Sequence, residues 1–104
     1  MTDALRILPL DEPRNYSVAG ELDASTANLL AEVLRKDGLA SGDLVLDISG
    51  VTFLDSSGVQ VLLLGSVWLR DGHLILRNPP PPVDRVLELV DIERVKGIRV
   101  ERTA

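Results

Sequence analysis

The chain has no cysteine, which excludes a disulfide framework and a thiolate metal site. Aromatic residues are almost missing, one each of Phe, Tyr and Trp in 104 positions, so a core must be built from Leu, Val and Ile. Basic residues are outnumbered, 11 against 16 acidic ones, and the formal net charge is −5. That balance lacks the basic footprint of a nucleic-acid binder and disfavours an anionic membrane surface. The longest apolar run is Val61–Leu64, far short of the roughly 20 residues that cross a bilayer as a helix. No direct membrane insertion is expected. The opening MTDALRILPLDEP carries acidic residues early and no signal-peptide apolar stretch, so a cytoplasmic address is the expectation. There is one histidine, His73, and no carboxylate cluster at ligand spacing, so no metal centre and no cofactor are expected.

What is present suits one globular unit. Hydrophobic residues make up 45% of the chain and charged ones 26%, ordinary values for a soluble domain. A single domain over 1–104 without a linker is expected. Leu5–Leu10 and Asn15–Gly20 read as two strands joined by the turn-like Asp11-Glu12-Pro13-Arg14. Tyr16 and Val18 share a face. Gly20-Glu21-Leu22-Asp23 interrupts the pattern. A helix is predicted from about Ser25 to Asp37, since Ala27, Leu30, Ala31 and Leu34 form a stripe at helical spacing. Asp23 or Ser25 suits its cap, and Gly38 the position just past its end.

Asp43–Ile48 reads as a central strand, because Leu44, Val45, Leu46 and Ile48 do not alternate with polar residues. A short loop and Asp55-Ser56-Ser57-Gly58 follow, then a helix over Val59–Arg70 that is apolar on nearly every side and is expected to be largely buried. Trp68 is read as core. Asp71-Gly72 stops this helix, and His73 opens a strand to Arg77. Pro79–Pro82 make a stiff loop, with Pro82 suited to the first position of a helix whose stripe is Val83, Val86, Leu87 and Val90. Ile98–Val100 reads as a last short strand, and Glu101–Ala104 as a frayed tail. The order β-β-α-β-α-β-α-β predicts an α/β domain with a mixed, mainly parallel sheet, an N-terminal antiparallel strand and about three helices packed on it.

Asp55-Ser56-Ser57-Gly58 taken alone is a helix cap and needs no further purpose. Its setting adds to that. A serine at a strand-to-helix junction, backed by an apolar helix, is accessible yet fixed. A phosphate there adds roughly −1.5 to −2 charges, and a helix N-terminus tolerates such a charge through its free N–H groups and its dipole. If the strands before Gly20–Asp23 and before Asp55–Gly58 are parallel neighbours, Glu21, Asp23, Asp55 and Ser56 share one surface. Catalysis is not expected. Gly-x-Ser-x-Gly is missing, and His73 belongs at the other end of its strand. Asp47 lacks the acidic pair and lysine of a receiver-type phosphoacceptor, and there is no glycine-rich phosphate loop.

GELD at 20–23, Leu46-Asp47 ending a strand, and DSSG at 55–58 before an apolar helix resemble the STAS domain family, over nearly the whole chain in element order. Members of this stand-alone size are usually bacterial anti-sigma factor antagonists. The resemblance implies a non-catalytic protein that regulates transcription by binding an anti-sigma factor serine kinase. It implies phosphorylation at Ser56, with loss of binding, and reversal by a PP2C-type serine phosphatase. It places Glu21, Asp23, Asp55, Ser57 and Gly58 at the partner surface, with Asp55 orienting the site and Gly58 supplying the turn that lets the helix begin. The alternative is a STAS-like soluble subunit of a membrane ABC-type transport complex, bound constitutively to its ATPase, with Ser56 only a cap. Two departures from the family pattern, the heavy proline run and the lack of Gly-Leu in Asp91–Val95, bear on local geometry.

Overall fold

The structure, a computed structural model, describes residues 4–102. Met1–Asp3 and Thr103–Ala104 lie outside the described residues. The chain runs β1 (Arg6–Pro9), β2 (Asn15–Leu22), α1 (Ala27–Asp37), β3 (Leu44–Leu54), α2 (Ser56–Trp68), β4 (Leu74–Arg77), α3 (Pro81–Leu89), a 3₁₀ turn (Ile92–Arg94) and β5 (Ile98–Glu101). The sheet order is β1-β2-β3-β4-β5, with β1 antiparallel to β2 and every other pair parallel. The predicted element order, sheet type and helix number are those observed.

The parallel register sorts the side chains onto two faces. Val18 and Leu22 of β2, Leu44, Leu46 and Ile48 of β3, Leu74 and Leu76 of β4 and Ile98 of β5 are buried in one cluster. The buried residues of all three helices, among them Leu30, Leu34, Val61, Leu62, Val83 and Leu87, join that same cluster. The alternate residues form a second face with its own row, Asn15–Val45–Ile75–Arg99. Val45 and Ile75 are buried there but stand outside the helix-covered core. This is why β3 reads as apolar on both faces.

The strand containing Leu44 does not stop at Ile48. It continues to Leu54, so the expected loop is strand. The reason lies in its register. β3 advances three residues, Asp47 to Gly50, while β2 advances two, Ser17 to Ala19. It gains one more between Val51 and Phe53, opposite Gly20 and Glu21. These two bulges in a parallel pair, where bulges are rare, put Ile48, Val51 and Leu54 into the core at intervals of three. No alternation announces a strand with that spacing. β2 likewise runs through Gly20 to Leu22. Gly20 has φ +102°, and a Cβ there would lie 2.4 Å from the carbonyl oxygen of Ala4.

Several helix limits also differ from expectation. α1 begins at Ala27, and Asp23 organises the turn before it. Gly38 is right-handed (φ −64°), not left-handed; it is required because a Cβ would come within 2.8 Å of the Leu34 carbonyl and 3.0 Å of that of Trp68. α3 starts at Pro81, one residue early, and Val90 lies just past its end and exposed. α2 ends at Trp68 rather than Arg70. Trp68 is half-buried, with the Arg35 guanidinium 4.7 Å above its ring.

At the end of the sheet where β3 and β4 begin, Arg14 (φ +64°) donates to the carbonyls of Asp37, Gly42 (3.0 Å) and Asp43 (3.1 Å). Beside it the Tyr16 hydroxyl donates to the Asp37 carboxylate, a bond that, with burial and the nearby charge, pushes the phenol up to about 12. The chain end is not frayed through Arg102. Its guanidinium donates to both Asp84 oxygens (2.8 and 2.9 Å) and to Glu93 (2.7 Å). The Arg102 bond holds the Asp84 carboxyl below its usual value. A carboxyl depressed in the folded state stabilises the fold above the unfolded pKa, about 4, and loses that contribution as pH falls through the folded value. We expect Arg102→Ala to lower stability by no more than about 1 kcal/mol at neutral pH, the pair being partly exposed. The difference should shrink below about pH 4. Urea titrations showing a pH-independent gap would contradict this.

Candidate protein-binding site

Because β2 and β3 are parallel neighbours paired through Leu22 and Leu54, the segments that follow them emerge side by side. The Asp55 amide donates to the Leu22 carbonyl at 3.3 Å, joining the two loops. Asp55 is extended (φ −115°, ψ −171°) and is the N-cap of α2. Its Oδ1 accepts from the amides of Ser57 (2.9 Å) and Gly58 (3.2 Å), and its carbonyl accepts from Val59 (3.0 Å). Such a cap contributes about 1 kcal/mol.

α2 therefore starts at Ser56, three residues earlier than predicted from the apolar run. Ser56 is its first residue and is exposed, Ser57 is half-buried, and Gly58 is buried. Gly58 is not a turn residue. It sits inside the helix, where a Cβ would meet Leu54 Cδ1 at 2.6 Å and the Leu22 carbonyl at 2.8 Å. Glycine is needed there for close packing of α2 on both strands.

The other loop is ordered by Asp23. Its Oδ1 accepts from the Ser25 amide (3.0 Å), the Ser25 hydroxyl (2.7 Å) and the Thr26 amide (3.2 Å). These bonds, the Ser25 hydroxyl first, hold its carboxyl below the usual range. The Thr26 hydroxyl donates to the Glu21 carbonyl at 2.7 Å. Asp23 thus shapes the loop as well as lying on its surface. Glu21 is half-buried and pairs in register with Phe53. Glu21, Asp23, Asp55, Ser56 and Ser57 come together at the end of the sheet where β2 and β3 finish.

No alternating periodicity in the sequence marks Phe53 as a surface residue. It is the only phenylalanine and is 48% exposed. The signal for it was the three-residue spacing of Ile48, Val51 and Leu54, which leaves Phe53 out of the core.

Among the described residues the site holds carboxylates and hydroxyls, and the histidine is not beside Ser56. His73 sits at the opposite end of β3, where its amide donates to Asp43 Oδ1 at 2.7 Å and its Nδ1 lies 3.7 Å from the same atom. The Asp47 carboxylate caps the Ser49 amide at 3.0 Å. Among the described residues no group of His, Cys, Asp and Glu could hold a metal ion, and no helix is long and apolar enough to cross a membrane.

A strand-ordered sheet with this capped serine at the end of its third strand defines a STAS domain. A family model described as "Mlab, STAS domain" matches residues 11–100, and the chain belongs to that family, a class of non-catalytic binding proteins. Among solved structures, the chain is similar to an anti-sigma factor antagonist from Mycobacterium paratuberculosis, at 26% identity and a TM-score of 0.80, over 97% of this chain and 88% of that one. It also resembles the anti-sigma factor antagonist SpoIIAA in its unphosphorylated form (20% identity, TM-score 0.71, 93% and 87% of the two chains). The phosphorylated form of SpoIIAA, described as a Bacillus cell fate determinant, gives 19% identity and a TM-score of 0.64 over 93% and 90%.

Proposed function

We propose that this protein is an anti-sigma factor antagonist that acts in the cytoplasm. It binds a serine-kinase anti-sigma factor while Ser56 is unmodified and releases it once Ser56 is phosphorylated. A PP2C-type serine phosphatase resets it. Asp23, Glu21, Asp55 and Ser57 border the contact, while Gly58, expected there, is buried and serves it only by seating α2 against β2 and β3. The observation that carries this reading is the exposure of Ser56 on an anchored cap, with Ser57 beside it half-buried. An enzyme reaches the first hydroxyl more readily than the second. The similarity to one antagonist, SpoIIAA, solved with and without its phosphate adds support.

The test is incubation with a serine-kinase anti-sigma factor from the same source and ATP, followed by peptide mass spectrometry. Phosphate is expected on Ser56 and not on Ser57, and the modified protein should no longer co-elute with the kinase. Stable association with a transporter ATPase that ignores substitution of Ser56, with no phosphate transfer, would overturn the proposal.

A further inference from the structure

A helix that is apolar all round belongs in an interior, yet α2 lies on the outside of the helix layer. Its inner side is buried through Gly58, Val59, Val61, Leu62 and Gly65. Its outer side carries Ser56, Gln60, Leu63, Leu64 and Val67, with Leu64 41% and Val67 76% exposed. No charged residue occurs between Asp55 and Arg70. The other helices differ: α1 exposes Glu32, Arg35 and Lys36, and α3 exposes Arg85 and Glu88. Only α2 presents an uncharged, apolar exterior.

That exterior begins at Ser56. Gln60, Leu64 and Val67 follow at i+4, i+8 and i+11, on one side of the helix, and Val67 lies about 16 Å along the axis. Phe53 is not part of it: its neighbour Leu54 faces the helix-covered core, so Phe53 lies on the other side of the sheet. We infer that one contact surface for the kinase-type partner extends from Ser56 along the outer side of α2 to Val67, and that its apolar part supplies affinity which Ser56 modification then opposes. This rests on the function proposed above.

The occupant is a protein surface that is apolar along its length and basic where it meets Ser56. Charge complementarity requires the basic end, since Asp55 caps the helix beside the serine and Asp23 lies in the loop joined to it. A second copy of this chain fits less well. The outer side of α2 covers roughly 20 Å by 10 Å, about a quarter of what each partner of a stable interface buries. Extending self-contact over the Ser56 end would oppose carboxylates to carboxylates.

The experiment uses the whole chain and the purified serine-kinase anti-sigma factor that it binds. Val67→Lys is expected to weaken binding about tenfold or more. Leu89→Lys, at an equally exposed residue of α3 (76%), should leave it within about twofold. Circular dichroism checks that both are folded, and Val67→Gln replaces the first variant should it misfold. Val67→Lys binding like the wild type, while Ser56→Asp does not bind, overturns the inference and leaves the proposed function standing. Sedimentation showing a wild-type dimer that Val67→Lys dissociates assigns the surface to a second copy and overturns it too. A wild-type chain that binds no such kinase overturns both.

Discussion

Ser56→Asp is expected to lose binding to the kinase partner by about a hundredfold or more, roughly 3 kcal/mol, while Ser56→Ala keeps it and resists phosphorylation. The physical cause is where the new charge goes. A bare helix N-terminus would receive an anion on its free amides. Here Asp55 already occupies the amides of Ser57 and Gly58, at 2.9 and 3.2 Å. A charge added at Ser56 finds those donors taken. It stands outward at an end of the sheet that already carries Asp55 and Asp23, and must be desolvated whenever the partner docks. The fold itself should not respond, so the circular dichroism and melting temperature of the two variants should agree closely with wild type. Because the site is exposed, the Asp penalty should shrink with added salt. Isothermal titration against the kinase separates the outcomes. Equal dissociation constants for the Asp and Ala variants would refute the switch.

Gly58→Ala is expected to destabilise the domain by about 1–3 kcal/mol, which lowers the melting temperature by several degrees. Helix propensity argues the other way, favouring Ala over Gly by about 1 kcal/mol within a helix. Geometry decides between them. The new Cβ would sit 2.6 Å from Leu54 Cδ1, 2.8 Å from Leu22 Cγ and 2.8 Å from the Leu22 carbonyl oxygen. The Leu54 methyl can turn aside, but the Leu22 oxygen is backbone and accepts from the Asp55 amide. The whole helix must therefore lift from β2. Scanning calorimetry reads the result. A melting temperature equal to or above wild type would mean that α2 is free to shift, contrary to the packing described.

Much of this architecture was legible in the residues. The stripe Ala27, Leu30, Ala31, Leu34 gave α1 within two residues of its start. The turn Asp11–Arg14 gave the antiparallel β1–β2 pair, and the alternation of strands with helices gave the parallel remainder. The meeting of Glu21, Asp23, Asp55 and Ser56 followed from topology. What failed was anything that depended on packing distance rather than periodicity. Gly38 and Gly58 look like a helix stop and a turn, yet both are helix-range residues kept small by neighbouring backbone. An apolar sequence over α2 suggested burial, but periodicity cannot tell an interior helix from one with an uncovered apolar exterior. Phe53 was hidden because β3 breaks its own alternation.

That broken alternation has a consequence for what length changes the chain tolerates. Through its two extra residues β3 turns by half a step twice over, so that Leu54 finishes facing inward and Asp55 arrives in position to seat the serine. Removing one residue between Ser49 and Phe53 would leave the strand paired but out of phase. Leu54 would swing toward water, and the cap would aim away from the amides it serves. Trimming the turn at Asp11–Pro13, before β2, bears on the edge strand and leaves Arg14 and its carbonyl partners in place. Insertions and deletions in related sequences should therefore avoid 49–53 and gather at such peripheral turns.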